Sequence, residues 1–253
     1  MKRIRFTLAL CAALVLAQAY TTQSFAASST IDPVTSTETV SPPSHAAFSD
    51  LLKRYVSAAG NVNYAGLKKE HAALNSYITA LAANTPASSW SRNEKLAYWI
   101  NAYNAVTLDL VLDNYPITSI TDLEKGKPWD KKVVTLGETS YTLNQIENEI
   151  IRPQFNEPRI HFAVNCAAAS CPPLRNEAFV ASKLEAQLEE QTRSFLRSES
   201  YNALSGSTFR ASKIFEWYGE DFGDLGAFIG KYIDLPSAVT VEFTNYDWTL
   251  NKQ

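Results

Sequence analysis

Two of the chain's three cysteines and one of its three histidines fall within eleven residues, His161-Phe162-Ala163-Val164-Asn165-Cys166-Ala167-Ala168-Ala169-Ser170-Cys171. A thiol near an imidazole offers nucleophilic catalysis: the thiolate attacks an acyl carbon, the imidazole carries the proton, and a third group orients the ring. Glu147 and Asn101 are the sequence candidates for that third group. The alternation of Arg159 to Asn165 predicts a strand, with Ile160, Phe162, Val164 and Cys166 on one face and His161, Ala163 and Asn165 on the other. On a straight strand Cys166 would lie on the wrong face and about 16 Å from His161, at roughly 3.3 Å per residue. Cys171, beyond a small-residue turn, is free to fold back toward the ring, whereas Cys166 serves only if the strand ends before it. Both therefore stand as candidate nucleophiles.

Two other chemistries compete for the same residues. Paired thiols five apart suit a Cys166–Cys171 disulfide in an oxidising compartment, and the short loop it closes would stabilise the fold by on the order of 2 kcal/mol. A metal site of His161 and both thiols is disfavoured, because zinc sites show tighter pairs such as C-x-x-C and no fourth ligand is evident. No metal and no cofactor are expected. There is also no G-x-S-x-G elbow, dinucleotide fingerprint, phosphate loop or H-E-x-x-H. The acidic pairs Glu189-Glu190 and Glu220-Asp221 read as solvated faces.

The elements that must hold this cluster follow from periodicity. Amphipathic helices are predicted over 48–59 and 67–83, with His71 on the surface of the second. Ser91-Arg92-Asn93-Glu94 is a capping box that opens a helix through Leu112. Apolar residues lie all round that helix, so it must be buried on most sides. Asn101 and Asn104 fall on one of its apolar stripes; left unpaired, each buried amide would cost about 1 to 3 kcal/mol. They must therefore tie down loop backbone, or orient a catalytic group or a substrate. A hairpin over 133–136 and 140–143 follows, then a second capping box, Thr142 to Gln145, and a short helix over 143–151 that ends before Pro153. Arg152 at its end joins the substrate-binding or orienting candidates. A long helix over 177–197, a strand near Thr208, helices over 212–218 and 224–232 and a strand over 238–244 complete the pattern. Helices and short strands without regular βαβ alternation give the α+β class: one domain, with a buried central helix and a small mixed or antiparallel sheet.

The whole chain has 253 residues, 45% hydrophobic and 19% charged, with a formal charge of −3. That balance excludes a disordered chain and leaves no basic excess for nucleic acid. Lys2, Arg3 and Arg5 precede an apolar run from Phe6 to Ala17, and small-residue cleavage signals follow at Ala19 and Ala26. Residues 1–26 thus read as a secretory signal peptide, since the run falls short of the roughly 20 residues of a membrane span. Its removal takes Cys11 and three positive charges, so the formal charge falls from −3 to −6. A Ser/Thr/Pro leader is expected over 27–46, with His45 solvent-exposed, and the single domain over 47–253. The protein is expected in the periplasm or secreted, free of integral membrane association, with a small molecule or peptide of unknown identity as substrate.

Five motifs in order resemble the family known as domain of unknown function 547: Trp99-Ile100-Asn101-Ala102-Tyr103-Asn104; Leu143 to Glu147 with Arg152; Arg159 to Cys166 leading to Ser170-Cys171-Pro172-Pro173-Leu174; Ser212 to Tyr218 with Asp221-Phe222; and Tyr246 to Asn251. The resemblance confers no catalytic residues, because the family has no established reaction. One departure is Ala167, where the family often has Gly; the loop is then less free to take a positive φ. A more distant similarity to papain-like and transglutaminase-like thiol enzymes is only an analogy of parts, since their nucleophile opens a buried helix and the buried helix here has no cysteine. Two functions remain: a thiol-dependent hydrolase or acyl transferase on peptide-like or amide substrates, or a non-catalytic binding module stapled by the Cys166–Cys171 disulfide.

Overall fold

The computed structural model describes residues 41–253. The expected signal peptide, and the expected leader as far as residue 40, lie outside the described residues. The central helix α4 (Arg92–Asn114) organises everything else. Ser91 and Glu94 form the expected capping box at its start, and sixteen of its 23 residues are buried. With apolar side chains in every direction, it can only be stable when surrounded. Helices α2 (Tyr64–Lys68) and α3 (His71–Ala83) pack on it, and α1 (Ala46–Tyr55) packs on both. The predicted second helix is thus two. Asn63 caps α2 through the Gly66 amide, and a new helix begins after Glu70.

Two histidines depart from expectation. His45 is buried, with Nδ1 2.7 Å from the Tyr77 hydroxyl. His71 is half-buried and bonded to Asp109 of α4. In each case a neighbour distant in sequence supplies the partner that makes burial tolerable.

Beyond α4 the hairpin of β1 (Lys132–Leu136) and β2 (Thr139–Thr142) forms with antiparallel register. Thr142 and Gln145 then cap the next helix reciprocally. That helix does not stop before Pro153. It runs as a π-helix over Gln145–Ile151 and continues as α5 (Arg152–Phe155), with Pro153 at the change from the wider to the tighter helix. π-helical turns are rare and concentrate at functional sites, and this one carries Glu147.

The predicted strand over 159–165 is instead a 3-10 helix, Pro158–Phe162, begun by Pro158 and capped by the Glu157 side chain on the Arg159 amide. Alternation misled because every residue from Ile160 to Val164 is buried, so no solvent face remained for a strand to show. The long helix is also shorter than predicted: α6 covers Leu184–Leu196 only.

The C-terminal part holds a three-stranded sheet in the order β3 (Ala203–Ser205), β4 (Thr208–Ala211), β5 (Thr240–Phe243). The first pair is antiparallel and the second parallel. Helices α7 (Ile214–Trp217), α8 (Gly219–Phe222) and α9 (Leu225–Gly230) lie between the strands in sequence. The result is the α+β class with one mixed sheet and one antiparallel hairpin. Its buried side chains form two clusters. The larger surrounds α4, and the smaller is aromatic, built from Phe162, Phe195, Phe209, Phe215, Phe222 and Phe228 among others. Ile160 belongs to the first and Phe162 to the second, so the 3-10 helix bridges them with His161 between. Among the described residues no helix is long and apolar enough to cross a membrane.

Candidate functional site

His161 is buried, and its ring is hydrogen-bonded on one edge only. Nε2 lies 2.7 Å from Asp221 Oδ2, while Nδ1 is buried with no hydrogen-bond partner. Asp221 also receives a two-pronged bond from Arg152, Nε at 2.6 Å and Nη2 at 2.8 Å. The bonds from His161 and then Arg152 hold its carboxyl far below the usual carboxylate range. An ionised carboxylate only accepts, so Nε2 carries a proton, and in the neutral form of the ring Nδ1 keeps a lone pair. The Tyr218 ring stacks on the imidazole at 4.1 Å between centroids, and the Arg152 guanidinium lies over the other aromatic partner of that stack, 5.1 Å from the Tyr218 centroid.

The carboxylate bonded to the His161 ring is therefore Asp221, which the sequence placed on a solvated face; neither Glu147 nor Asn101 is hydrogen-bonded to that ring. Nothing local marks it, because its two partners are 60 and 69 residues away. Only the motif Asp221-Phe222 hinted at it.

Among the described residues the cysteines are Cys166 and Cys171; no disulfide joins them, and both line one cleft of about 280 Å3 together with His161 and Glu147. The loop that carries them is fixed by buried amides. Asn104 of α4 donates to the Ala163 carbonyl and accepts the Asn165 amide, at 2.9 and 2.8 Å. Asn165 donates to the Pro172 carbonyl and accepts the Ala167 amide, while Asn251 donates to Asn165 and accepts the Tyr64 hydroxyl. Asn101 similarly pairs both ways with the backbone of Phe179. The stripe asparagines thus tie down loop backbone, and neither lines the cleft. Asn165 and Asn251, which the sequence did not single out as amides, complete the network.

This network holds Ala167 at φ 62, in the left-handed region that costs a non-glycine residue roughly 1–2 kcal/mol. Here alanine takes the conformation that glycine would take freely. The turn brings the two sulfurs together: the Cys166 amide donates to Cys171 Sγ at 3.0 Å. Cys166 Sγ is bonded to the Cys171 thiol, to the Tyr246 hydroxyl at 3.1 Å and to the Ala168 amide, which together lower its pKa against the opposing effect of burial. Burial and the neighbouring Cys166 sulfur push the Cys171 thiol well up. Cys166 is half-buried and Cys171 buried. Of the two thiols Cys166 is thus the one whose surroundings favour the thiolate, whereas the straight-strand reading leaned to Cys171; the chain leaves the 3-10 helix after Phe162, so strand alternation does not apply to Cys166.

Glu147 is buried in the cleft beside the Tyr218 hydroxyl. Burial raises that phenol far above its usual range, so it stays protonated and donates to the carboxylate. The remaining walls are mainly aromatic, including Trp129, Trp217, Tyr246 and Trp248. Arg152 does not line the cleft; its charge is committed to Asp221.

The His71, Asp109 and Asp113 side chains place three ligand atoms within 4.8 Å of one another on a different part of the surface. Residues 87–196 match a family model described as protein of unknown function, DUF547. That span takes in α4, Glu147, His161 and both cysteines, while Tyr218, Asp221 and Tyr246 lie beyond it. No curated protein and no solved structure matches the chain.

Proposed function

For a chain that belongs to the DUF547 family through residues 87–196, we propose a thiol-dependent hydrolase or acyl transferase acting on peptide-like or amide substrates. The observation that carries this reading is the pairing of His161 Nε2 with an ionised Asp221, which leaves a buried, unpartnered Nδ1 in the cleft that also holds Cys166. Cys166 is the nucleophile, His161 the base, Asp221 the orienting carboxylate and Arg152 its positioning partner. His161 makes no hydrogen bond to either sulfur here, and such bonds commonly close only around a bound substrate.

In the reaction, His161 Nδ1 takes the Cys166 proton as the sulfur adds to the carbonyl carbon. The C–N bond breaks as His161 returns that proton to the leaving amine. Water, or a second amine in a transferase, then attacks the thioester while Nδ1 accepts its proton and the thiolate leaves. Asp221 stabilises the imidazolium at both stages. Tyr246 and the Ala168 amide stabilise the thiolate before attack and after release. The proposal includes export to the periplasm or the medium, with cleavage after Ala19 or Ala26. Mass spectrometry of the protein from cell fractions checks it, and full-length protein in the cytoplasm would contradict it.

Iodoacetamide labelling followed by peptide mapping tests the catalytic assignment without a known substrate. Cys166 is expected to alkylate well ahead of Cys171, and H161Q or D221N to slow it about tenfold when assayed at a temperature where circular dichroism shows each variant still folded. Faster labelling of Cys171, or a Cys166 rate indifferent to both variants, would overturn the assignment. The closeness of the two sulfurs favours one rival, the disulfide-stapled binding module. Absence of any titratable thiol in the unreduced, exported protein would decide for it.

A further inference from the structure

The charge inventory of the cleft is lopsided. Among the residues lining it, no Lys or Arg is present; the charged candidates are Glu147 and the His161 ring already bound to Asp221. The guanidinium closest in effect, Arg152, has its N–H groups on Asp221 and on the Asn148 amide oxygen. A carboxylate or phosphate entering here would meet a buried carboxylate and no free cation.

The opposite charge meets a matched surface. Tyr218 supplies Glu147 with one hydrogen bond, and a carboxylate has room for several. Trp129, Trp217 and Trp248 pack in series at the cleft, with centroids 5.3 and 5.8 Å from Trp248. Trp217 is 45% exposed, although a large aromatic surface is usually buried unless something covers it. Aromatic faces beside a carboxylate attract an organic cation and its carbon stem together, and the attraction strengthens as water is excluded.

We propose that the part of the substrate entering this cleft is an alkylammonium group, with its charge at Glu147 and its carbon chain along the tryptophans. The inference rests on the cleft being the thiol active site, and makes that site one for amine-bearing substrates. The charge pattern argues against an acidic peptide or a phosphorylated ligand.

The test is made on the full chain with Cys166→Ala, so that binding is read without chemistry. The probes are n-hexylammonium, n-hexanol and n-hexanoate, and the readout is intrinsic tryptophan fluorescence. Saturable binding of hexylammonium at least tenfold tighter than hexanol, with no binding of hexanoate, is expected. Adding E147Q should erase the preference for the ammonium, and adding W217A, at an exposed side chain, should weaken all binding severalfold. Hexanol or hexanoate binding as well as the amine, or a folded E147Q variant that keeps the preference, overturns the proposal. Should E147Q not fold, the ranking of the three probes on the parent decides alone. Failure of the alkylation test above would sink the catalytic reading while leaving this ranking intact, so the two are separable.

Discussion

His45 gives the fold a pH dependence that can be calculated. Burial lowers its pKa from 6.5 to about 4, and its Nδ1 faces the Tyr77 hydroxyl, itself held protonated by burial. Above pH 6.5 the residue is neutral in both folded and unfolded chains, so its contribution is fully present. As pH falls below 6.5 the unfolded chain takes up a proton that the folded one refuses, and stability drains until about pH 4, where the folded ring also protonates. Each tenfold difference in proton affinity is worth about 1.4 kcal/mol, so the whole loss is about 3 kcal/mol. Urea unfolding followed at pH 7, 5.5 and 4 measures it, and the H45Q variant isolates it, since the carboxylates that also titrate do so lower in the range. The parent should lose about 3 kcal/mol more than H45Q over that interval. Equal pH slopes for the two proteins would refute the argument, and would mean that His45 is hydrated in solution.

Replacing Arg152 with Gln removes the fork on Asp221 and a guanidinium from the Tyr218 ring. The pair is partly exposed, 27% and 25%, so the cost belongs between that of surface and buried pairs, about 2 kcal/mol in chemical denaturation. A loss below 0.5 kcal/mol would mean that Asp221 is held by His161 alone. Asn104→Ala leaves the Ala163 carbonyl and the Asn165 amide without partners and should cost about 2–4 kcal/mol. It should also narrow the difference in alkylation rate between Cys166 and Cys171, because the turn that sets their environments is no longer anchored; an unchanged ratio would assign that turn to Asn251 and the C-terminal segment.

What was legible in the sequence was what is local. Both capping boxes, Ser91 to Glu94 and Thr142 to Gln145, formed as read, because each closes within three residues. The central helix was legible because all-round hydrophobicity has one structural meaning. Conversely, the segment from Arg159 to Asn165 was misread because burial on every side erases the difference between a strand and a 3-10 helix. His45 and His71 were misplaced for a related reason: a polar residue on a polar stretch looks exposed until a distant partner, Tyr77 or Asp109, is known. The clustering of His161 with the cysteines was visible, and all four of Cys166, Cys171, His161 and Glu147 do meet in one cleft. Asp221 was invisible as an orienting group, since an Asp after a Glu on a short helix carries no sign of an imidazole 60 residues upstream.

The placement of that carboxylate explains why the site needs both hydrophobic clusters. Phe222 packs on Phe162 at 5.9 Å and on Phe215 at 5.0 Å, so the aromatic cluster fixes α8 and thereby the Asp221 carboxylate beside it. The thiol loop is fixed independently, by Asn104 from the core of α4. His161 sits between Ile160 in one cluster and Phe162 in the other, so its ring orientation depends on both. The segment matching the family model ends at residue 196, before Tyr218, Asp221 and Tyr246. On its own it would retain the imidazole and both sulfurs, yet leave Arg152 without its carboxylate and Cys166 without the hydroxyl that helps to lower its pKa. A partly buried guanidinium stripped of its partner carries a penalty of up to several kcal/mol, so the C-terminal part is required for the electrostatics of the site as much as for its walls. The geometry on which the proposed thiol chemistry rests thus depends on two cores held in register, and a substitution in the aromatic cluster that shifts Phe222 would act on the His161 ring without touching the cleft.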